Sequence, residues 1–381
     1  MGQTRRVAIA GCHRMLDRKP ANHNFATAFD AVPETEIAAV FDLGAETRQE
    51  FTDCWGDRVA AYDSFESMLK QEKPEILCLA TSQKMHADQI QQAVESGVRG
   101  ILCDKPLATS LSEADRLLDA CRTSGVPLAL GLDRRWLVSY RRLAALLREG
   151  IVGRLQSLII YGIPNLINHG CHWYDVALHL AGDLEPQWVS GFVEDLSAEP
   201  PDSRRHLDPT GRCIVGLEEG VHLYFTPGGS KRPSFDVIGE QGRLTIMDDG
   251  LQAWQWQETD APPQPLAIPQ PEGDFPSGVA IVNDLVDAVA SGGRTACDVE
   301  EARRATEIGF AVHLSHARQG ARVDLPAAAG ELSIPSVPGG NESGCPAPGF
   351  VSLPCRPPQP SEKWRLRRQS PACSSSHAAK K

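Results

Sequence analysis

What this chain lacks narrows its class first. No apolar run is long enough to cross a bilayer, which excludes a transmembrane helix and gives no reason to expect a membrane partner. There is no excess of positive charge. Lys and Arg number 38 against 49 Asp and Glu, for a net charge of -11, so the basic footprint of a nucleic-acid binder is missing. None of the eleven cysteines forms a Cys-x-x-Cys pair, which leaves structural zinc with little support. Several cysteines (Cys78, Cys103, Cys213) sit inside apolar runs and read as reduced and buried. The opening residues hold two arginines but enter a strand pattern at Val7, without the apolar core and small-residue cleavage site of a signal peptide. The cytoplasm is therefore the expected location.

What is present suits two α/β domains. The chain has 381 residues, 41% hydrophobic and 23% charged, a length and composition fit for more than one globular core. The first third alternates strand and helix. Val7–Ala10, Glu36–Phe41, Glu75–Ala80, Gly100–Cys103 and Leu128–Leu130 read as strands, the third and fourth nearly continuous in apolar character. Such runs suit strands buried on both faces of a doubly wound parallel sheet. After Gly150 come Leu155–Tyr161, a helix from Gly170 to Leu180, and six strand-like runs between Gln187 and Trp256. That pattern predicts an α+β domain with a largely antiparallel open sheet. The proline-rich stretch Ala261–Pro271 reads as a loop, and Val279–Ala290 and Val299–Ala317 read as helices. From Ala327 the chain turns to Pro, Gly, Ser and Ala, with a basic cluster at Arg365, Arg367 and Arg368, and reads as a disordered or foreign tail. The expected division is 1–130, 131–326 and 327–381.

Three stretches carry chemistry. The first strand ends at Gly11 and the second at Asp42. In a dinucleotide fold that glycine allows the tight turn and that acid accepts hydrogen bonds from the adenosine ribose, which favours NAD over NADP. The usual glycine-rich sequence is replaced by Gly11-Cys12-His13-Arg14-Met15-Leu16, with Arg14 and Arg18 as candidate phosphate contacts or solvated loop charges. Second, Asp104-Lys105-Pro106 follows the Gly100–Cys103 strand, where a lysine faces the ligand crevice and can stabilise a developing alkoxide. A surface charge is the bland alternative. Third, Asn168-His169-Gly170-Cys171-His172-Trp173-Tyr174-Asp175 opens a helix. Positions four apart share a face, so Asn168 and His172 can point into one pocket, and histidine is the natural base for an alcohol proton. His169, His172 and His179 raise zinc, but no cysteine or acid set completes a site, and no metal is expected.

Taken together, these landmarks resemble the Gfo/Idh/MocA family over roughly Arg6 to Pro326. Thr81 and His86 match its T-x-x-x-x-H, Asp104-Lys105-Pro106 its E-K-P, and Asn168-x-Gly170-x-His172-x-x-Asp175 its D-x-G-x-H-x-x-D. Arg134-Arg135-Trp136 and Gly150–Gly153 resemble the crossover between domains, and Ile238–Gly242 the sheet-domain turn. The resemblance implies a Rossmann domain with a C-terminal sheet domain, and a cytosolic oxidoreductase moving hydride between nicotinamide and a sugar, cyclic polyol or sugar derivative. Lys105 would hold the substrate hydroxyl and His172 would exchange its proton, with Asn168 where the family has an acid. Gly11, Cys12, His13, Arg14, Asp42, Thr81, His86, Asp104 and Lys105 would line the cofactor. Arg135, Trp136, Tyr161, Asn168, His169 and Trp173 would meet the substrate, although at least half of the aromatics are expected to be packing residues. The resemblance also implies a homo-oligomer through the C-terminal sheet. Two alternatives stand beside it. One is redox-neutral glycoside cleavage or isomerisation with tightly bound NAD, and the other is a degenerate, non-catalytic binding protein.

Overall fold

The computed structural model describes residues 4–333 apart from 22, 57, 196–206, 231, 258–260, 274, 329 and 331. Six strands form a wholly parallel sheet: β1 (Arg5–Ala10), β2 (Thr35–Phe41), β3 (Ala60–Tyr62), β4 (Ile76–Leu79), β5 (Gly100–Cys103) and β6 (Leu128–Leu130), in the order β3-β2-β1-β4-β5-β6. Every residue of β4, β5 and β6 is buried, which is why these segments are apolar at each position rather than at alternate ones. The helices between them are α1 (Phe25–Asp30), α2 (Ala45–Trp55), α3 (Phe65–Glu72), α4 (Gln83–Glu95) and α5 (Leu111–Ser124). Ser64 caps α3 by accepting from the Ser67 N–H, and Ser110 caps α5 by accepting from that of Glu113. Strand order reverses between β1 and β4, and at such a switch point a crevice opens beyond the carboxyl ends of the strands. Gly11, Asp42, Thr81 and Lys105 all lie just past those ends.

The 3-10 turn Asp133–Trp136 and α6 (Val138–Arg148), a helix that strand-and-helix patterning did not pick out, lead to a nine-stranded sheet. Its strands are β7 (Leu155–Tyr161), β8 (Pro186–Val193), β9 (Gly211–Leu217), β10 (His222–Thr226), β11 (Ser234–Gly239), β12 (Gly242–Met247), β13 (Gln252–Gln257), β14 (Gln264–Leu266) and β15 (Val323–Asp324). All pairings are antiparallel except β7 with β10. Burial alternates along β10 and β11, as it does when one face of a sheet is covered and the other is not. On the covered face, α7 (Gly170–Leu180) packs against β7, and α9 (Val299–Ala317) against β8 and α7. The uncovered face exposes Ile214, Tyr224 and Trp256. Helix α8 (Pro276–Ser291) returns to the parallel sheet. There Val289 and Leu285 lie so close to Gly100 that no side chain fits at that position. Leu130 N–H donates to the Cys297 carbonyl (3.0 Å), so the two sheets share one continuous core.

Two segments depart from expectation. The stretch read as a proline-rich loop contains β14, an edge strand pairing only with β13, where Pro265 costs no ladder bond on its free side. Beyond 326, Ala327 is buried with its N–H donated to Glu307 (2.6 Å), and Ser333 bridges Ser110. The rest of the tail, including its arginine cluster, lies outside the described residues. Cys78, Cys103 and Cys213 are buried and free.

Candidate active site

The crevice is built at the carboxyl ends of β1, β2, β4 and β5. At Gly11 the backbone has φ of 81°, and an added Cβ would lie 2.6 Å from the Ala80 carbonyl, so only glycine lets the end of β1 pass that close to the end of β4. Asp42 caps the same turn. Its two carboxylate oxygens accept the Cys12 N–H (3.0 Å) and the Gly44 N–H (2.9 Å). The Cys12 thiol also lies 3.8 Å from Oδ2, Oδ1 keeps a further acceptor site, and the exposed Leu43 is the next residue. These acceptors fit a group that presents vicinal hydroxyls, as the adenosine ribose of a dinucleotide does, and an apolar shelf adjoins. The pyrophosphate cradle is less conventional. Residues 11–24 separate β1 from α1, and the first turn of α1 is closed by Asn24, whose side chain accepts the Thr27 N–H. The loop is pinned by Trp55, which donates to the Met15 carbonyl (2.7 Å), and by Arg18 stacked on the Trp55 ring. Arg18 is thereby held on Trp55 and the Cys54 carbonyl, while His13 and Arg14 remain on the exposed side of the loop.

Asp104 ties this loop to β5. It accepts the Lys105 N–H (2.8 Å) and lies 3.2 Å from His23 Nδ1 and 3.4 Å from Arg14 Nη1. Burial pushes its carboxyl upward, but His23, Lys105 and Arg14 outweigh that and hold it far below the usual carboxylate range. His86 stands between two carbonyl oxygens, 2.9 Å from that of Pro106 and 3.2 Å from that of Thr81. Burial keeps this imidazole neutral, so its single N–H is given to one of the two carbonyls, and the nearer is that of Pro106, next to Lys105. The Thr81 hydroxyl donates to Gln89 (2.5 Å).

Lys105 Nζ donates to Asn168 Oδ1 (2.9 Å), so two motifs that are 63 residues apart meet here. Their meeting depends on Asp208, a buried residue that the sequence did not single out. Its carboxylate accepts the backbone N–H groups of Ile167 (3.0 Å) and Asn168 (2.8 Å) and so aims the asparagine. Gly170 belongs to the motif for a steric reason, since a Cβ there would meet the Asn165 carbonyl at 2.5 Å. One turn into α7, His172 is buried, with Nδ1 3.4 Å from Asp133 Oδ1. Burial first, then Arg134, Lys105, His23 and His169, push the imidazole well below its ordinary range, so its resting form is neutral.

The substrate candidates divide. Asn168 is in the crevice, and the exposed His169 sits beside Asn165 at 3.1 Å. Arg135 is not available to a ligand. It is 3% exposed and donates to Asp175 (2.6 Å), Asp183 (2.6 Å) and the Ala296 carbonyl. Trp136 is buried and donates to Asp284 (3.0 Å). Trp173 is buried with Arg134 over its ring, and its indole N–H reaches the Tyr161 carbonyl (3.1 Å). Tyr161 pairs in register with Ser234 and Thr226, on the sheet face away from α7, and its hydroxyl donates to Asp236 (3.0 Å). It lines a separate surface cavity with Ser230, Arg232 and Thr245. Tyr161→Phe is therefore expected to leave kcat/KM within about twofold while costing about 1.5–3 kcal/mol of stability, the worth of a hydrogen bond to a charged group. Steady-state kinetics and urea unfolding of the variant check this, and a tenfold fall in kcat/KM would put Tyr161 back at the site.

Residues 5–132 match the model of the Gfo/Idh/MocA group, described as an oxidoreductase family with an NAD-binding Rossmann fold. A D-apiose dehydrogenase of Paraburkholderia graminis is 27% identical over 181 residues, covering 43% of this chain and 48% of its own length. A D-glucoside 3-dehydrogenase of Escherichia coli is 24% identical over 196 residues, covering 46% and 54%. The match thus spans about half the length of these curated relatives. Over the whole fold, a levoglucosan dehydrogenase solved with NADH and levoglucosan superposes with a TM-score of 0.71 at 16% identity, covering 85% of this chain and all (100%) of the other.

Proposed function

We propose that this chain is an NAD-dependent dehydrogenase or reductase acting on a sugar, cyclic polyol or related alcohol. The observation that carries the reading is the Lys105–Asn168 hydrogen bond beside a neutral, buried His172, at the carboxyl edge of a family-matched dinucleotide sheet. Asp42 would hold the adenosine ribose, the 12–14 loop and Thr81 would flank the phosphates, and a nicotinamide bound there supplies the hydride acceptor or donor. Lys105 binds the reacting oxygen and stabilises negative charge as it develops. His172 takes the hydroxyl proton in oxidation and returns it in reduction. Asn168 steadies Lys105 through its carbonyl and keeps its amide N–H groups for a neighbouring substrate hydroxyl. The sugar-like substrate class is supported by the apiose, glucoside and levoglucosan relatives. The uncovered face bearing Ile214, Tyr224 and Trp256 is where we place self-association.

Titration of the protein with NADH and NADPH, followed by nicotinamide fluorescence, tests the cofactor reading directly. NADH is expected to bind more tightly. Asp42→Ala should weaken NADH by about 10–100-fold, the worth of hydrogen bonds to a charged acceptor, and narrow or reverse the preference over NADPH. Binding of neither nucleotide by the wild type would sink the dehydrogenase reading and leave only the fold.

A further inference from the structure

We propose that Asp133 is the carboxylate partner of His172, a positioning residue that does the work of the acid missing at Asn168; this rests on the proposed role of His172 as base. Asp133 opens the 3-10 turn that follows β6, and its Oδ1 faces His172 Nδ1 across 3.4 Å. Neither atom has a hydrogen-bond partner although both are fully buried. Two buried, unsatisfied and complementary atoms at that separation are unfavourable unless they serve each other. A slight rotation of either side chain closes the gap, and catalytic hydrogen bonds commonly tighten only when substrate is bound. His172 Nε2 makes no hydrogen bond to any described residue, so it is the nitrogen left to face the substrate.

The chemistry follows from this pairing. With Asp133 accepting from Nδ1–H, the neutral ring carries its lone pair on Nε2. When Nε2 takes the alcohol proton, the carboxylate stabilises the resulting imidazolium. Asn168 cannot do this, because its Oδ1 is held by Lys105 Nζ and it bears no charge. Burial, and then the positive charges of Arg134 and Lys105, disfavour an imidazolium at His172. Burial raises the Asp133 carboxyl, with Asp249 and Asp104 adding to the shift and Arg134 and His23 opposing it, and Arg134 Nη1 lies 3.6 Å from its Oδ1. Arg134 is itself engaged by Asp249 through two hydrogen bonds of 2.7 and 2.8 Å, which limits its competition for Asp133.

Two variants separate charge from geometry. Asp133→Asn removes the charge at constant shape. It should lower kcat by on the order of 10²-fold with KM within about twofold, and move the acid limb of kcat/KM about one pH unit lower, because the base has lost its counter-charge. Adding Asn168→Asp to that variant should recover about tenfold. Asp133→Leu removes the acceptor, and ¹⁵N NMR of histidine-labelled protein should then show His172 leaving a single Nδ1–H tautomer that the wild type holds. An unmoved acid limb in Asp133→Asn, or an unchanged tautomer in Asp133→Leu, overturns the pairing. Should the wild type turn over no alcohol at all, the tautomer still decides. Its change would uphold the Asp133–His172 pair while the dehydrogenase reading fails.

Discussion

Replacing Lys105 by methionine is expected to lower kcat by roughly 10²–10³-fold, the usual cost of removing one preorganised donor from a developing oxyanion. Methionine keeps the length and apolar stem and deletes only the ammonium. In the folded protein that ammonium is held by Asn168 Oδ1 at 2.9 Å, on a backbone fixed from one side by Asp104, which accepts the Lys105 N–H, and from the other by His86 against the Pro106 carbonyl. The charge is thus already aimed before substrate arrives, and its loss should fall on the chemical step rather than on folding. The expected pattern is a collapse of kcat, nicotinamide binding within a few-fold of wild type, and an unchanged unfolding midpoint. Lys105→Arg should rescue little, because a planar fork cannot present one compact donor in the same place. A methionine variant retaining a tenth or more of wild-type kcat would remove Lys105 from the reacting centre and leave the Asn168 contact as a structural bridge.

Some of this site was legible in the sequence for physical reasons that can be stated. Residues past the ends of buried parallel strands must face the crevice, so the apolar runs ending at Cys103 and Phe41 located Lys105 and Asp42 without further information. The helix-start spacing gave Asn168 and His172 a common direction, and Gly170 marked the close approach that holds it. Tyr161 was expected at the substrate, and the alternation of its own strand argues against that. Leu158 and Ile160 are the buried positions of β7, so strict alternation sends Tyr161 to the other face. What sequence could not show were partners brought together by tertiary structure alone. Asp208 holds Asn168 from 40 residues away, and Asp133 reaches His172 from the far side of a sheet crossover. Neither carries a local pattern. Arg134 and Arg135 are indistinguishable as a dipeptide, yet the tight 3-10 turn sends one to Asp249 and the other into the interior.

Arg135→Met is expected to destabilise the protein by about 3–5 kcal/mol, the range for removing one partner of a buried ion pair. Arg135 bridges two acids on α7 and its C-terminal turn, Asp175 at 2.6 Å and Asp183 at 2.6 Å, with the Ala296 carbonyl as a third acceptor. It therefore joins the turn after the parallel sheet, the helix that carries His172, and the start of the segment leading into α9. Burial raises the Asp175 carboxyl in spite of the arginine, whereas Asp183, also raised by burial, is held well below the usual range by His179 and Arg135. The sign of the pH response follows. Without Arg135, the folded-state pKa of Asp175 rises further above its unfolded value, so its ionised form opposes folding at neutral pH. That penalty is relieved as pH falls through the raised pKa. Urea unfolding at pH 7.5 and pH 5.5 should accordingly show a smaller deficit for the variant at the lower pH. Arg135→Met combined with Asp175→Leu should recover much of the lost stability, because the apolar pair leaves no charge stranded in the core. A single variant as stable as wild type at pH 7.5 would show that the bridge does not hold α7 in place, and the positioning of His172 would then rest on the helix packing alone.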